Sequence, residues 1–241
     1  GPWLATNSRD LLNPALFAGS YAVLAGLCAT TIVLLQTARF RSPAPAERAK
    51  GGRPLMEIAR TPIFIAAVVS SALGYGVMVL VMTATPLAMA GHGFGFSDAA
   101  FVIQWHVLGM FIPSFFTGKL IDRFGVTVII TTGVLLNLGA MVLNLSGAAL
   151  ENFWIALVFL GMGWNFMYIG GTTLLTECYR DEERAKVQAL NDFLVFATVA
   201  VCSFSSGALY SAFDWNTVNW AMAVPMGVAL LTVARLKRLR A

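Results

Sequence analysis

Charged side chains are scarce in this sequence. Asp, Glu, Lys and Arg together make up 12% of its 241 residues, whereas hydrophobic residues make up 58%. A water-soluble domain usually carries about 25% charged residues, so the composition argues against a soluble protein. The chain also contains repeated apolar runs of about 20 residues, long enough to cross ~30 Å of hydrocarbon. The sequence therefore predicts an all-α, polytopic membrane protein.

Cysteine is equally rare. Cys28, Cys178 and Cys202 form no C-x-x-C pair, and an odd number of cysteines cannot form a complete disulfide framework. Two of them fall within apolar runs, where a cysteine behaves as a small hydrophobic residue. The sequence likewise lacks H-E-x-x-H, G-x-S-x-G and paired aspartates within the apolar runs. We therefore expect no metal, no other cofactor and no catalytic residues, and the protein is predicted not to be an enzyme.

The apolar runs predict seven transmembrane helices, with boundaries uncertain by several residues. They cover residues 12–37, 62–86, 98–117, 127–146, 152–176, 187–212 and 216–235. The last six are joined by short connections, and we expect them to form one bundle of two three-helix units.

The basic residues indicate the orientation of these spans. Fifteen of the 16 lie in alternate connections and at the carboxyl-terminal end, and Arg9 alone lies on the opposite side. By the positive-inside rule, the amino terminus is outside and the carboxyl terminus is cytoplasmic, in the inner membrane of a cell. The net charge of +4 does not indicate nucleic-acid binding, because no soluble domain is present to carry a basic face.

Residues 38–61 form the one long connection, rich in Pro, Gly, Ala and charge, which is the composition of a linker. The predicted organisation is therefore an external segment and leading span at 1–37, a cytoplasmic linker at 38–61, and a six-helix domain at 62–241. The leading span has the character of the last helix of one domain, placed before all of another.

The stretch "GKLIDRFG", at residues 118–125, lies between the second and third spans of the group of six. It resembles the G-x-x-x-D-R-x-G signature of the major facilitator superfamily, with Gly118, Asp122, Arg123 and Gly125 in the matching positions. Val126 and Thr127 replace the basic pair that follows in the family. A second stretch, "ECYRDEERAKVQALNDF", resembles the E-R-x-[KR] cytoplasmic loop of bacterial permeases in this family. The resemblance extends over the whole chain, as the sixth to twelfth spans of a twelve-span transporter.

The resemblance implies a bundle of the superfamily type and transport of a small solute by alternating access, together with an amino-terminal half that is missing here. It also implies that one group of residues forms a conformational latch at the cytoplasmic ends of the helices: Gly118, Asp122, Arg123, Gly125, Glu183 and Arg184. The alternative is that Lys119 and Arg123 only anchor the topology. Asp122 would pair with Arg123, with Arg184 or with the positive end of a neighbouring helix.

In this family, the first, second, fourth and fifth helices of each half face a central cavity. The resemblance therefore suggests a set of cavity residues: Tyr75, Met78, Gln104, Asn165, Tyr168, Asn191 and Asp192. The alternative for any one polar residue is a hydrogen bond between helices, which we expect for Asn137 and Asn144. The lone His106 is expected to be a packed side chain. Asp192 could carry a coupling proton or pair with Arg184 or Lys186.

Two other classes of protein remain open at this stage. Seven spans with the amino terminus outside is also the topology of a receptor or rhodopsin-like protein, although the last span lacks the lysine that would hold a retinal. An intramembrane enzyme lacks the motifs named above. The expected partners are the lipid bilayer, a small-molecule substrate and the missing amino-terminal half, with no nucleic acid.

Overall fold

The structure, a computed structural model, describes residues 2–12, 14–15, 17–38 and 52–240. These residues fall into two compact units, one within residues 1–50 and the other within 51–241. Most of the predicted linker, residues 39–51, lies outside the described residues, so the predicted division into three segments stays a prediction.

The first unit contains two helices, α1 (Pro2–Ser8) and α2 (Ala18–Thr37). The helices of the second unit are α3 (Leu55–Ala59), α4 (Pro62–Gly91), α5 (Phe96–Phe111), α6 (Ser114–Phe124), α7 (Val126–Leu145), α8 (Leu150–Thr176), α9 (Arg184–Ala212), α10 (Trp215–Trp220) and α11 (Ala223–Arg240). A single 3₁₀ turn, Asp181–Glu183, precedes α9. The described residues contain no strand, which confirms the all-α prediction.

Among the described residues, six segments are long and apolar enough to cross a membrane: α2, α4, α7, α8, α9 and the pair α10–α11. The pair α5–α6 also passes as one span, but it is bent by 42° between its two halves. The prediction of a polytopic membrane protein is confirmed. The count reaches the predicted seven when the bent pair is counted as one span.

The bent pair corrects the predicted second span of the group of six, which was drawn as one helix over 98–117. Pro113 has no amide hydrogen, so it cannot continue the hydrogen bonding of α5, and a new helix begins at Ser114. This second helix runs to Phe124, so the G-K-L-I-D-R stretch is helical. Gly125 alone reverses the chain, at φ 88° and ψ 147°, and α7 begins at the next residue.

Helix α8 is the centre of the second unit, where it packs extensively against α4, α5 and α7. Helix α4 packs against α8, α9 and α11, and α11 also contacts α7. The contacts occur in equivalent pairs. The contact of α4 with α9 corresponds to that of α8 with α5, and the contact of α4 with α11 corresponds to that of α8 with α7. This is the pattern expected for two three-helix units related by a pseudo-two-fold axis.

Glycines allow the neighbouring helices to approach α8 closely. A Cβ atom on Gly161 would lie 2.5 Å from the His106 carbonyl oxygen and 2.9 Å from the Met110 amide nitrogen, both backbone atoms of α5. A Cβ on Gly171 would overlap Ser71 of α4. Because lipid chains are as apolar as the helices, such close packing is a main source of helix association in a bilayer.

We expect Gly161→Ala to destabilise the protein, because the α5 backbone would have to move away. Overpacking of this kind costs about 1–3 kcal/mol in the free energy of unfolding. The matched control is Gly207→Ala in α9, where an added Cβ meets no atom within 4 Å. Thermal unfolding in detergent should show a lower Tm for Gly161→Ala and an unchanged or higher Tm for Gly207→Ala. Equal Tm values would contradict the close-packing interpretation.

Candidate functional site

Five aromatic side chains from four helices form one surface, which we call the aromatic surface: Tyr75, Phe111, Trp164, Tyr168 and Phe196. Trp164 and Tyr168, one turn apart on α8, are stacked with centroids 5.3 Å apart and planes 8° from parallel. Tyr75 packs edge-on against both rings at 5.4 Å. Phe111 lies 6.2 Å from Trp164, and Phe196 lies 6.2 Å from Tyr75.

The backbone positions Tyr75 at the junction of three helices. It lies between Gly74 and Gly76 on α4, and a Cβ on Gly74 would lie 2.8 Å from Met167 of α8. A Cβ on Gly76 would lie 3.0 Å from the Cys202 sulfur of α9. Two glycines thus bring α4 against α8 on one side and α9 on the other, and the tyrosine ring fills the space between them.

The aromatic surface is accessible. Phe111 and Phe196 are 55% and 53% exposed, and Tyr75 and Tyr168 are half-buried, whereas Trp164 lies beneath them. The four contributing helices, α4, α5, α8 and α9, are the first, second, fourth and fifth spans of the group of six. These are the helices that the resemblance led us to expect at a cavity.

Among the predicted cavity residues, Asp192 lies one turn before Phe196 on α9 and is exposed. Its carboxylate accepts a hydrogen bond from Asn191 Nδ2 at 3.1 Å, while Asn191 itself is buried. Gln104 is half-buried on α5, two turns before Phe111. Asp192 therefore borders the aromatic surface, and Asn191 supports it from below.

Two predicted cavity residues lie inside the bundle instead. Met78 is 2% exposed, because three residues are less than one full turn of α4, so its side chain points about 60° away from that of Tyr75 and into the core. Asn165 is fully buried and hydrogen-bonded to three groups of the α5–α6 span. Neither side chain belongs to the accessible surface. Asn165 instead forms hydrogen bonds between helices, which was the alternative expected for a polar residue in a span.

The other buried polar residues also join helices. Asn144 Nδ2 donates to Asn219 Oδ1 of α10 at 2.8 Å, and Asn137 Nδ2 approaches the Met167 sulfur of α8 at 3.2 Å. His106 is fully buried, and its Nδ1 lies 2.8 Å from the Leu157 carbonyl oxygen of α8, which accepts the hydrogen bond. The predictions for Asn137, Asn144 and His106 are confirmed.

The motif residues lie at the end of α6. Asp122 is exposed and has no ion pair among the described residues, so the predicted pairing with Arg123 or Arg184 is not found. The Arg123 guanidinium instead lies over the neighbouring Phe124 ring, at 5.2 Å. A Cβ on Gly118 would meet no atom within 4 Å, so no helix of the described chain approaches it closely.

Glu183 pairs with a residue that the sequence did not indicate. Its carboxylate accepts hydrogen bonds from Arg53 at three nitrogens: the backbone amide at 2.7 Å, Nε at 3.0 Å and Nη2 at 2.8 Å. The Arg180 amide donates a fourth, at 3.1 Å, and Lys186 Nζ donates to the Arg53 carbonyl oxygen at 2.5 Å. No sequence signal could link positions 130 residues apart.

This contact attaches the end of the predicted linker to the loop before α9. Glu183 is fully buried, and Gly52 leaves room for it: a Cβ there would lie 2.8 Å from the Glu183 Cγ. The loop lies outside the predicted span at 187–212. The hydrogen bonds from Arg53 hold the pKa of Glu183 well below its ordinary value, so the carboxylate is charged at neutral pH.

The second unit thus combines a pseudo-two-fold contact pattern, as in the internal repeats of many membrane transporters, with an accessible aromatic surface. The comparison with known families agrees. The chain belongs to the Major Facilitator Superfamily, whose family description matches residues 80–241. Members of this family and their names point to a transporter rather than an enzyme, and nothing supports the receptor alternative.

Three curated relatives carry transporter names. The riboflavin transporter RfnT of Brucella anthropi is 45% identical over 243 residues, covering 100% of this chain and 60% of RfnT. The uncharacterized MFS-type transporter YddS of Bacillus subtilis is 31% identical over 225 residues, covering 89% of this chain and 51% of YddS. The uncharacterized MFS-type transporter YdeG of the same organism is 34% identical over 145 residues, covering 59% of this chain and 34% of YdeG. The chain therefore spans about half to three-fifths of the length of the first two.

We expect Glu183→Gln to lower the Tm at neutral pH, because the neutral amide cannot replace the charged acceptor of Arg53. The folded-state pKa of Glu183 is depressed, so this stabilisation is complete above the ordinary carboxyl value of 4.5 and is lost as the pH falls through the lower folded-state pKa. The Tm difference between wild type and variant should therefore narrow below about pH 4.5.

The control for this experiment is Glu182→Gln, which removes an exposed carboxylate from the adjacent position. Its Tm should follow that of the wild type at each pH. If the two variants have the same Tm at neutral pH, the Arg53–Glu183 pair does not stabilise the fold.

Proposed function

We propose that this chain is the carboxyl-terminal portion of a secondary transporter of the inner membrane, with its amino terminus outside and its carboxyl terminus cytoplasmic. The aromatic surface is the observation that carries the proposal. It lies on the four helices that would face the other half of the protein, and it is open on that side. Alternating access needs two halves that rock about a site between them, so this surface would form one wall of that site.

The chemistry of the surface favours a flat, uncharged heteroaromatic solute such as riboflavin, the solute in the name of the relative RfnT. Three of its rings, Tyr75, Trp164 and Tyr168, already pack on one another, which leaves faces and edges on which a planar ring can stack. None of the five side chains that define the surface is basic, so it offers no charged partner for an anion.

We expect Tyr168→Leu to weaken riboflavin binding to the full-length protein. Stacking of a nucleobase on an aromatic side chain contributes about 1–3 kcal/mol, which corresponds to an affinity about 5- to 150-fold lower once the ring is removed. The measurement is quenching of riboflavin fluorescence on titration with purified protein.

The control is Phe101→Leu, which removes an exposed ring from a separate aromatic group with Trp105 and Trp154. This variant should bind riboflavin as the wild type does. Unchanged affinity in Tyr168→Leu would contradict the proposed substrate surface, and absence of riboflavin binding by the wild type would contradict the proposed substrate.

Asp192 is our candidate for the residue that carries a coupling proton. Its carboxylate is exposed and lies one turn before Phe196 of the aromatic surface. In the same protein, Asp192→Asn should bind riboflavin but lose any acceleration of uptake by an imposed pH gradient. The control is Glu151→Gln, which removes an exposed carboxylate from the first turn of α8 and should leave the response to the pH gradient unchanged.

We further propose that the cytoplasmic latch consists of Gly118, Asp122, Arg123 and Gly125, together with the loop at Glu183 and Arg184. Asp122 is exposed and unpaired within the described chain, and Gly118 offers open space beside it. Both features suit contact with a helix of the other half. Helix-end contacts of a carboxylate contribute about 0.3–1 kcal/mol, enough to change a two-state population several-fold.

Asp122→Asn should therefore slow turnover of the full-length transporter while leaving riboflavin affinity nearly unchanged. Glu151→Gln, which removes an exposed carboxylate from the first turn of α8, should leave both quantities unchanged. A large loss of affinity at normal turnover in Asp122→Asn would place this residue in a substrate site instead of a latch.

A further inference from the structure

The break between α5 and α6 is filled by one side chain from another helix. In a continuous helix the Ser114 amide would donate to the Met110 carbonyl oxygen, and among the described residues this bond is not formed. The Met110 oxygen accepts instead from Asn165 Nδ2 of α8, at 2.7 Å. The same nitrogen donates to Ser114 Oγ, the first residue of α6, at 2.6 Å.

The other end of the Asn165 amide holds α6 one turn further on. Its Oδ1 accepts from Thr117 Oγ1 at 2.7 Å, and this hydroxyl also lies 2.7 Å from the Pro113 carbonyl oxygen. Asn165 and Thr117 are both fully buried. One amide group thus joins the last turn of α5, the first residue of α6 and the first full turn of α6.

The half-helix held in this way carries the motif residues. Helix α6 contains Gly118, Asp122 and Arg123, and its contacts are with α5, α7 and α8. Pro113 cannot donate a backbone hydrogen bond, and within the described chain the Ser114 amide does not donate to Met110. The backbone therefore holds the angle between the two halves less firmly than in a continuous helix, although the Phe115 amide still donates to the Ile112 carbonyl oxygen at 3.3 Å. The Asn165 contacts add three side-chain hydrogen bonds that relate α6 to α5 across the break.

Asn165 also adjoins the aromatic surface. It follows Trp164 directly and precedes Tyr168 by three residues, and Phe111, the last residue of α5, packs on Trp164. A displacement of these rings would act on the same turn of α8 that holds the break. The substrate surface and the residue that holds the start of α6 are thus neighbours on α8.

We propose that Asn165 is a positioning residue for transport: it closes the break in the α5–α6 span and thereby sets the tilt of α6, the half-helix that carries the cytoplasmic motif. Asn165 does not touch the solute, so it acts on the movement of the helix and not on binding. This inference rests on the proposed transport function, but the geometry of the break can be tested without transport.

The test compares Asn165→Leu with Asn137→Leu in the full-length protein. Leucine has the same number and branching of side-chain heavy atoms as asparagine but no hydrogen-bonding group. Asn137 is an equally buried asparagine packed against α8, and its partners, Gly133 and Met167, lie away from the break. A purely structural role predicts the same effects for both variants.

The first measurement is the distance between spin labels at Lys119 on α6 and Thr176 at the end of α8, introduced as unnatural amino acids. Asn165→Leu should shift or broaden the distance distribution, because the tilt of α6 is no longer held. Asn137→Leu should leave it unchanged. An unchanged distribution in Asn165→Leu would overturn the proposal, and so would equal changes in both variants.

The second measurement separates turnover from affinity in proteoliposomes, with riboflavin as the probe. The cost of leaving a buried polar group without its partner converts to a factor of about 5 to 150 in a rate or equilibrium constant, and we expect turnover to fall by a factor of this size in Asn165→Leu. Riboflavin affinity should stay within about twofold of the wild type, since the Asn165 side chain is fully buried and directed to the break, not to the accessible aromatic surface. A selective loss of affinity would overturn the proposal.

The third measurement uses Pro113→Ala, which restores the missing amide and allows α5 and α6 to join. The Ser114 amide can then donate to Met110, so Asn165 is no longer needed there. Asn165→Leu should lower the Tm much less when it is combined with Pro113→Ala than when it is introduced into the wild-type protein. Equal losses would show that Asn165 does not serve the break.

These readouts distinguish the two proposals. If the wild-type protein neither binds nor carries riboflavin, the proposed substrate is wrong. The role of Asn165 is then still decided by the spin-label distances and by the Tm loss of Asn165→Leu with and without Pro113→Ala. If riboflavin is carried but neither readout distinguishes Asn165 from Asn137, the positioning role is wrong and the proposed function stands.

Discussion

The structure depends on the close approach of neighbouring helices to α8. In a bilayer the apolar side chains gain little by leaving lipid for one another, so helices associate through packing and through hydrogen bonds between them. Gly161 and Gly171 remove the side chains that would keep α5 and α4 away. The short approach at Gly161 also allows His106 of α5 to reach the Leu157 carbonyl group of α8. Packing and polar contacts therefore reinforce one another along the same helix.

One turn of α8 contributes both to the aromatic surface and to the break between α5 and α6. Trp164 and Tyr168 form the stacked pair of the aromatic surface, and Asn165, between them, turns inward to the break in the neighbouring span. Because α8 is held on three sides, its side chains are well positioned. The α5–α6 span is interrupted at Pro113 and bent by 42°, so its internal geometry depends on its neighbours. A rigid helix next to a broken one is a suitable design for a surface that must bind a solute and also change shape.

Several features could be predicted from the sequence because they depend on local composition. The spans follow from runs of apolar residues, and their bounds in the structure differ mainly at the ends: α4, for example, continues through Pro86 to Gly91. Tyr75 and Tyr168 could be predicted at the aromatic surface from helical periodicity and family resemblance. The same reasoning misplaced Met78 and Asn165, because a helical period gives the direction of a side chain only relative to its own helix. Whether that direction faces a groove or another helix depends on the neighbours.

The amino-acid sequence alone determined that the chain is apolar and helical, that it crosses a membrane repeatedly, and that Gly125 turns the chain between two helices. These properties follow from hydrophobicity, spacing and backbone freedom, which act over a few residues to a few turns. Only the tertiary structure decided that Arg53 pairs with Glu183, that Asp122 stays unpaired within the described chain, and that Asn165 closes the break at Pro113. Each of these depends on which backbones pack side by side, because a hydrogen bond acts over about 3 Å regardless of how far apart its partners lie in the chain.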